Sequence, residues 1–148
     1  MNEVEILLVE DNPRDLELTL RVLRKNNLAN SVVTVTDGEQ ALDFVFGRGK
    51  YAGRDTRNLP VVVLLDLKLP RLGGLEVLKR LREDDRTKRI PVVILTTSTE
   101  QDDLVRAGDL HANSYVRKPV DFDTFVGAAR QLRLYWTVLN EPAPPGGS

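Results

Sequence analysis

Short apolar runs alternate with segments of helical periodicity along this chain, and the alternation predicts its architecture. Five runs rich in valine, leucine and isoleucine are typical of buried strands: Val4–Val9, Val32–Val35, Val61–Leu65, Val92–Leu95 and the weaker Ser114–Val116. Between them, apolar residues recur every three or four positions, which places them on one face of a helix. Strands separated by helices favour a parallel sheet covered on both faces. The pattern therefore predicts an α/β fold with a doubly wound, five-stranded parallel sheet.

Signals for the starts of helices agree with this scheme. Asn12 can cap a helix that has Pro13 at its first position, and Asp37 with Gln40 three residues later resembles a capping box. The apolar stripes of the first and third helices are Leu16, Leu20 and Leu23, then Leu75, Leu78 and Leu81/Arg82. The segment Gly47–Pro60 has many charges and no apolar period, which predicts a long surface loop before the third strand.

Length and composition narrow the class of protein. A chain of 148 residues has the size of one domain, which we place at residues 3–139, and the proline- and glycine-rich residues 140–148 are expected to form a disordered tail. The net charge of -1 provides no basic field that would favour nucleic acid or anionic lipid. The chain has no cysteine, no secretory signal and no apolar stretch long enough to span a membrane, so we expect a cytoplasmic protein.

Three carboxylates follow predicted strands at the edge of the sheet where ligands of α/β proteins collect. Glu10 and Asp11 come directly after the first strand, and Asp66 comes after the third. If these strands are neighbours, the three acids converge, and their repulsion is unfavourable unless a cation neutralises it. Oxygen ligands of this kind suit Mg²⁺. The alternative is that Asp11 caps a helix or lies in solvent, as a lone acid after a strand usually does.

Two further side chains at the same edge fit phosphate chemistry. Thr96 supplies a hydroxyl after the fourth strand, and Lys118 supplies an ammonium after the fifth. Each alone is weak evidence, because a threonine after a strand is usually a turn residue and a lysine is usually a solvated charge. Together with the three acids, they favour a site that handles a phosphoryl group.

In this combination the sequence resembles the receiver domains of two-component response regulators, over about Glu3 to Leu139. The matching features are the acidic pair after the first strand, the Asp66-x-x-x-Pro70-x-x-x-Gly74 pattern after the third, Thr96 after the fourth and Lys118-Pro119 after the fifth. The resemblance implies the (βα)5 flavodoxin-like receiver fold. It also implies a signalling protein rather than a classical enzyme, which receives a phosphoryl group from a sensor histidine kinase.

The resemblance implies a role for each charged residue of the site. Asp66 would be the phosphoryl acceptor, and Lys118 would pair with the phosphoryl group. Glu10 and Asp11 would hold Mg²⁺ together with Asp66 and the backbone carbonyl of Lys68. Glu10 stands where the family often has aspartate, which lengthens its reach to the metal. Lys68 adds an ammonium that could touch the phosphoryl group and alter its lifetime.

The resemblance also implies a conformational switch. Thr96 would supply its hydroxyl and Tyr115 a ring that turns inward with it, unless Tyr115 is only a half-buried strand residue with its hydroxyl in water. The peptide between Lys118 and Pro119 would be cis. Gly73 stands where an acid or asparagine is frequent, which affects only the turn. His111, the only histidine, is expected at the surface or in packing and not as a phosphodonor.

The expected function is that of a stand-alone receiver with no room for an output domain after Leu139, so its output must be a contact. The loop Gly47–Pro60 and the final helix with "RLYWTVL" resemble the small receivers that partner phytochrome-type sensor kinases. A flavin-binding enzyme of flavodoxin-like fold is one alternative, but the loop "EDNPRD" repels phosphate unless a cation bridges it. A phosphohydrolase with an Asp-x-Asp motif would need an acid where Pro13 stands. A degenerate scaffold is a third alternative, against which four intact residues argue: Asp66, Asp11, Thr96 and Lys118.

The apolar positions of the final helix predict a homodimer. One stripe faces the core with alternating steps of four and three: Phe125, Ala129, Leu132, Trp136 and Leu139. Leu134, Tyr135 and Val138 add apolar surface outside this stripe, which favours a contact between two copies. The alternative is that the C-terminal tail folds back over this surface.

Overall fold

The computed structural model of the protein describes residues 6–25, 32–97 and 106–131. Its sheet has five strands: Ile6–Val9 (β1), Val32–Val35 (β2), Val62–Asp66 (β3), Val92–Thr96 (β4) and Ser114–Arg117 (β5). All neighbouring strands are parallel, in the order β2-β1-β3-β4-β5. The strand order reverses at β1, so the carboxyl ends of β1 and β3 border the point where such sheets bind ligands. The predicted five-stranded parallel sheet is confirmed.

Helices pack on both faces of this sheet. They are Pro13–Lys25 (α1), Gly38–Phe46 (α2), Gly74–Glu83 (α3) and Phe122–Gln131 (α4), and residues 106–109 are also helical. Successive residues of β1 point to opposite sides. Leu7 and Val9 therefore belong to a core cluster with α2 and α3, whereas Ile6 and Leu8 belong to a second cluster with α1 and α4. The sheet is doubly wound, as predicted.

The predicted helix stripes lie against these two clusters. Leu23, Leu78 and Leu81 are fully buried, and Leu16, Leu20 and Leu75 are partly buried against the core. Arg82, at the end of the α3 stripe, makes hydrogen bonds instead of apolar contacts. Its guanidinium donates to the carbonyl oxygens of Ile90 at 2.8 Å and His111 at 3.0 Å. His111 is exposed, as predicted for a surface residue.

The helix caps agree with the sequence except in one detail. Asn12 Oδ1 accepts hydrogen bonds from two amides in the first turn of α1, at 2.9 and 3.1 Å. Asp37 Oδ1 accepts the amide of Gln40 at 2.8 Å, which caps α2. In the predicted capping box, Gln40 would accept the amide of Asp37, but its Oε1 accepts the amide of Thr36 at 3.0 Å instead. The capping interaction thus reaches one residue further back.

The segment between α2 and β3 is more structured than the predicted surface loop. It contains a short 3-10 helix, Gly49–Tyr51, whose Tyr51 ring meets the Phe44 ring edge to face with centroids 5.2 Å apart. The Arg54 guanidinium lies 3.9 Å from the centre of the Phe44 ring and donates to the Phe44 carbonyl at 2.8 Å. Tyr51 and Arg54 make this packing against Phe44. Two such residues do not produce an apolar period in the sequence.

The loop between β3 and α3 is folded tightly behind Asp66. The amide of Gly74 donates to the carbonyl of Leu67 at 3.0 Å. A Cβ at position 74 would lie 2.3 Å from the Asp66 carbonyl oxygen, so only glycine fits there. In the same loop, Arg71 has a φ of 64°, in the left-handed region that residues with a side chain rarely adopt. The close approach of Gly74 to Asp66 fixes the backbone that presents the Asp66 side chain.

Several predictions for the carboxyl-terminal part lie outside the described residues. These are the tail at 140–148, the stripe residues Leu132, Trp136 and Leu139, and the contact surface of Leu134, Tyr135 and Val138; the side chain of Ala129 also lies outside. Within α4, Phe125 is buried, as predicted, and Ala128 is buried with it. Within the described ranges, no helix combines the length and the apolar character needed to cross a bilayer.

Candidate functional site

Three carboxylates meet at the carboxyl edge of the sheet. Asp66 is the last residue of β3, and Glu10 and Asp11 follow β1 directly. Because β1 and β3 pair, one carboxylate oxygen of each acid lies within 4.8 Å of those of the other two. Glu10 and Asp66 are buried, whereas Asp11 is exposed. The strand order thus brings together the three acids that the sequence singled out.

The Asp66 carboxylate is held at both oxygens. Oδ1 accepts the backbone amide of Lys68 at 3.1 Å, and Oδ2 accepts the ammonium of Lys118 at 3.0 Å. The residue is 8% exposed, at the end of a strand that is otherwise buried. These contacts fix the orientation of the Asp66 carboxylate in the cleft. A carboxylate that acts as a nucleophile needs such a fixed orientation.

Glu10 is the most deeply buried charge of the site, with no exposed surface. Its Oε2 accepts the backbone amide of Asn12 at 3.2 Å. Lys118 Nζ lies 2.6 Å from Oε1, but among the described residues no donor makes a well-directed hydrogen bond to that oxygen. Burial raises the pKa of Glu10 from 4.5 to about 7, with the adjacent Asp66 carboxyl acting in the same direction and Lys118 opposing both.

The Lys118 ammonium is the counter-charge of this cluster. Its Nζ contacts three carboxylates: Glu10 Oε1 at 2.6 Å, Asp66 Oδ2 at 3.0 Å and Asp15 Oδ2 at 3.1 Å. Burial alone would lower the pKa of Lys118, but its close contacts with the Glu10 and Asp66 carboxylates outweigh burial and raise that pKa above its ordinary value. Lys118 is therefore a permanent positive charge. The peptide that joins it to Pro119 is cis, as predicted.

The donor set fits a hard divalent cation. The cluster of Glu10, Asp11 and Asp66 offers only oxygen ligands, which suit Mg²⁺ or Mn²⁺ better than metals that prefer nitrogen or sulfur. Glu10 Oε1 is a buried carboxylate oxygen without a directed hydrogen bond in the described part of the chain, so it has capacity for a further positive charge. Asp11, Asp66 and Lys68 line a cleft of about 210 Å³, which is large enough for a cation and a phosphoryl group.

The structure describes the side chain of Tyr115 but not that of Thr96, the other predicted switch residue. The backbone of Thr96 ends β4, and its side chain lies outside the described set. Tyr115 lies on β5 with 42% of its surface exposed, and its hydroxyl would be 3.3 Å from a Cβ placed on Gly108. The ring is therefore half-buried on the edge strand, and its inward turn stays a prediction.

Among the polar residues that line the cleft are Asp15 and Thr97, which were not predicted as site residues from the sequence. Thr97 directly follows Thr96, so a second threonine after the apolar run is the available signal. Asp15 lies in the first turn of α1, and its partner Lys118 is 103 residues away in the chain. The sequence places Asp15 near the acidic pair but does not indicate this contact.

Comparison with known proteins agrees with this geometry. The model of a protein family described as the response regulator receiver domain matches residues 6–130. The probable methanogenesis regulatory protein FilR2 of Methanothrix harundinacea is 39% identical over 140 residues, which cover 95% of this chain and 88% of FilR2. Response regulator Rcp1 of Synechocystis sp. is 35% identical over 131 residues, which cover 88% of this chain and 87% of Rcp1.

Solved structures give the same result. The bacteriophytochrome response regulator AtBRR matches with a TM-score of 0.84 at 51% identity, covering 95% of this chain and 100% of AtBRR. The crystal structure of the Mn(2+)-bound form of Rcp1 matches with a TM-score of 0.71 at 34% identity, covering 93% of this chain and 90% of Rcp1. With the fold, the acidic cluster and these relatives in agreement, the chain belongs to the family of response regulator receiver domains.

Proposed function

We propose that this protein is a phosphoacceptor of two-component signalling, in which Asp66 takes a phosphoryl group from the phosphohistidine of a sensor histidine kinase in a reaction that requires Mg²⁺. The observation that carries the proposal is the setting of Asp66, whose carboxylate is fixed against the Lys118 ammonium beside two further acids. A nucleophile, a fixed positive charge and a cation-binding acidic pair are the parts that phosphoryl transfer needs.

In the proposed reaction, a carboxylate oxygen of Asp66 forms a bond to phosphorus. The bond from phosphorus to the imidazole nitrogen of the donor breaks, and that nitrogen keeps the electron pair. Negative charge spreads over the three other oxygens of the phosphoryl group during this exchange. Bound Mg²⁺ would supply positive charge for these oxygens. Lys118 supplies the other positive charge, and the amide of Lys68 keeps the Asp66 carboxylate in place.

Glu10, Asp11 and Asp66 would hold the cation, with the backbone carbonyl of Lys68 as a further ligand. Two observations on this chain support the assignment: the buried Glu10 Oε1 has no directed hydrogen bond among described donors, and Asp11 is exposed at the cleft. The Mn(2+)-bound form of Rcp1 supports it from a relative.

The proposed output is a change in protein contacts. Phosphorylation of Asp66 adds negative charge and hydrogen-bond acceptors at the end of β3. Leu95, which pairs with Asp66, directly precedes Thr96, and Thr96 pairs with Arg117 of β5. A movement at Thr96 would therefore reach the strand that carries Tyr115.

The proposed partner is a phytochrome-type sensor kinase. The 51% identity to a bacteriophytochrome response regulator over the whole of that protein supports this choice. We further propose a homodimer through the C-terminal helix and a cytoplasmic location, and the balanced charge of the chain still predicts no nucleic-acid partner.

Substitution of Asp66 tests the central proposal. Wild-type protein mixed with acetyl phosphate and Mg²⁺ should gain one phosphoryl group by intact-mass spectrometry, and EDTA should prevent the gain. Asp66→Asn should gain none. The control Asp85→Asn changes a carboxylate that is 93% exposed and paired with Lys88, and it should behave as wild type. Full labelling of Asp66→Asn would move the acceptor elsewhere and refute the proposal.

A further inference from the structure

Asp15 lies in the cleft without a role in the proposed reaction. Its Oδ2 is 3.1 Å from Lys118 Nζ, and its side chain is 29% exposed. Its carboxylate does not cap α1, because Asn12 Oδ1 already accepts the amides of the first turn. Within the described residues, Asp15 is also not a member of the group of three acids whose oxygens are close enough to share a cation. Its distinguishing contact is therefore the ammonium.

The three carboxylates around Lys118 differ in what a cation would do to them. An ammonium has three donors, and Glu10, Asp15 and Asp66 lie within 3.1 Å of Nζ. A divalent cation held by Glu10 and Asp66 would take up the charge of these two acids and repel the ammonium. Asp15 is not in the group that would hold the cation, so its contact with the Lys118 ammonium would remain.

We infer that Asp15 is a positioning residue, which retains the Lys118 ammonium at the edge of the site when a divalent cation binds to Glu10, Asp11 and Asp66. The cation and the ammonium can then occupy the site together, as the proposed phosphoryl transfer requires, and the inference rests on that proposed function. Without Asp15, the contacts that the ammonium keeps within the described residues are those to Glu10 and Asp66, and it competes with the cation for them.

The inference predicts a specific change in cation binding. Asp15→Asn should weaken the binding of Mg²⁺ by about threefold to tenfold, the size of coupling between neighbouring charged groups. The rate of phosphoryl uptake at saturating Mg²⁺ should change much less, since excess cation outcompetes the ammonium. Asp15→Glu keeps the charge and should restore most of the affinity. A merely structural role would not raise the Mg²⁺ requirement while leaving the saturated rate in place.

A double substitution separates positioning from a general loss of negative charge. In the Lys118→Met background there is no ammonium to hold, so adding Asp15→Asn should alter the affinity for Mg²⁺ far less than it does in the wild type. The matched control is Glu17→Gln, which removes a charge from the same helix. Glu17 is 56% exposed and pairs with Arg24 rather than Lys118, so this variant should bind Mg²⁺ as wild type does.

Calorimetric titration with MgCl₂ alone measures these affinities, and acetyl phosphate labelling at graded Mg²⁺ measures uptake. An unchanged affinity in Asp15→Asn, beside a wild type that binds Mg²⁺, refutes the inference and leaves the proposed function intact. Equal losses with and without Lys118 refute it as well. A wild type that binds Mg²⁺ with the expected differences between variants but takes up no phosphoryl group overturns the proposed transfer alone. A wild type that binds no Mg²⁺ overturns both.

Discussion

Glu10→Gln should stabilise the metal-free protein at neutral and alkaline pH, although Glu10 belongs to the proposed cation site. Glu10 has no exposed surface, and burial is the main reason why its pKa rises from 4.5 to about 7. The Asp66 carboxyl adds to this rise, and the Lys118 ammonium only partly opposes it. The folded protein therefore holds an ionised Glu10 at a cost in free energy. Glutamine has nearly the same shape and avoids that cost.

The sign and size of the effect follow from the pKa. Since the folded-state pKa of Glu10 is above its ordinary value, the penalty is absent below pH 4.5, grows as the pH rises and is complete above about pH 7. At ~1.4 kcal/mol for each pH unit, the rise from 4.5 to about 7 amounts to roughly 3 kcal/mol. We expect Glu10→Gln to gain about 1–3 kcal/mol at pH 8, because the amide replaces some contacts of the acid imperfectly. At pH 5 the free energy of unfolding gained by the variant should be about 2 kcal/mol smaller, because most of the penalty is absent there.

Urea unfolding in EDTA at pH 5 and pH 8 measures this difference. Excess Mg²⁺ at pH 8 should reverse the order, because wild type gains stability from cation binding by mass action. The control Glu17→Gln removes an exposed acid and should change the free energy of unfolding by less than about 0.5 kcal/mol. A Glu10→Gln protein that is less stable than wild type at pH 8 in EDTA would show that the contact with Lys118 outweighs burial, and the reasoning would be wrong.

Arg71, Lys68 and the C-terminal helix each allow a separate test. Arg71→Gly should raise the free energy of unfolding by about 0.5–1 kcal/mol, because it relieves a φ of 64°, whereas Arg89→Gly should give no gain. Lys68→Met should change the half-life of the phosphorylated protein, since Lys68 lines the cleft; a half-life equal to wild type would show that its ammonium does not act on the phosphoryl group. Tyr135→Asp and Val138→Asp should each convert the predicted dimer to a monomer, as measured by light scattering. A wild-type protein that is monomeric at micromolar concentration, with and without phosphorylation, would contradict the dimer.

The strands could be predicted because buried parallel strands are continuous apolar runs. Val32–Val35 agrees with the structure to the residue, the first strand ends at Val9 as predicted, and the other three strands end one residue later than predicted. Asp66, Thr96 and Arg117 each extend a strand by one polar residue beyond the last apolar one. Ladder pairing continues through these residues, as the partners Asp66 with Leu95 and Thr96 with Arg117 show. A boundary drawn from hydrophobicity therefore excludes the strand ends on which functional side chains stand.

The contact of Asp15 depends on how α1 is rotated against the sheet, which the apolar pattern does not reveal. Residues 15, 19 and 23 lie on one helix face at spacings of four. Thr19 and Leu23 are buried and Asp15 is partly buried, whereas Arg14 is exposed. Because Thr19 is polar, the hydrophobic pattern of the sequence does not reveal this face. Leu16 and Leu20 instead indicate a neighbouring face as the buried one. The burial of Thr19 thus marks the face of α1 that also carries Asp15, and this face, rather than that of Arg14, lies toward the ammonium of a lysine 103 positions away.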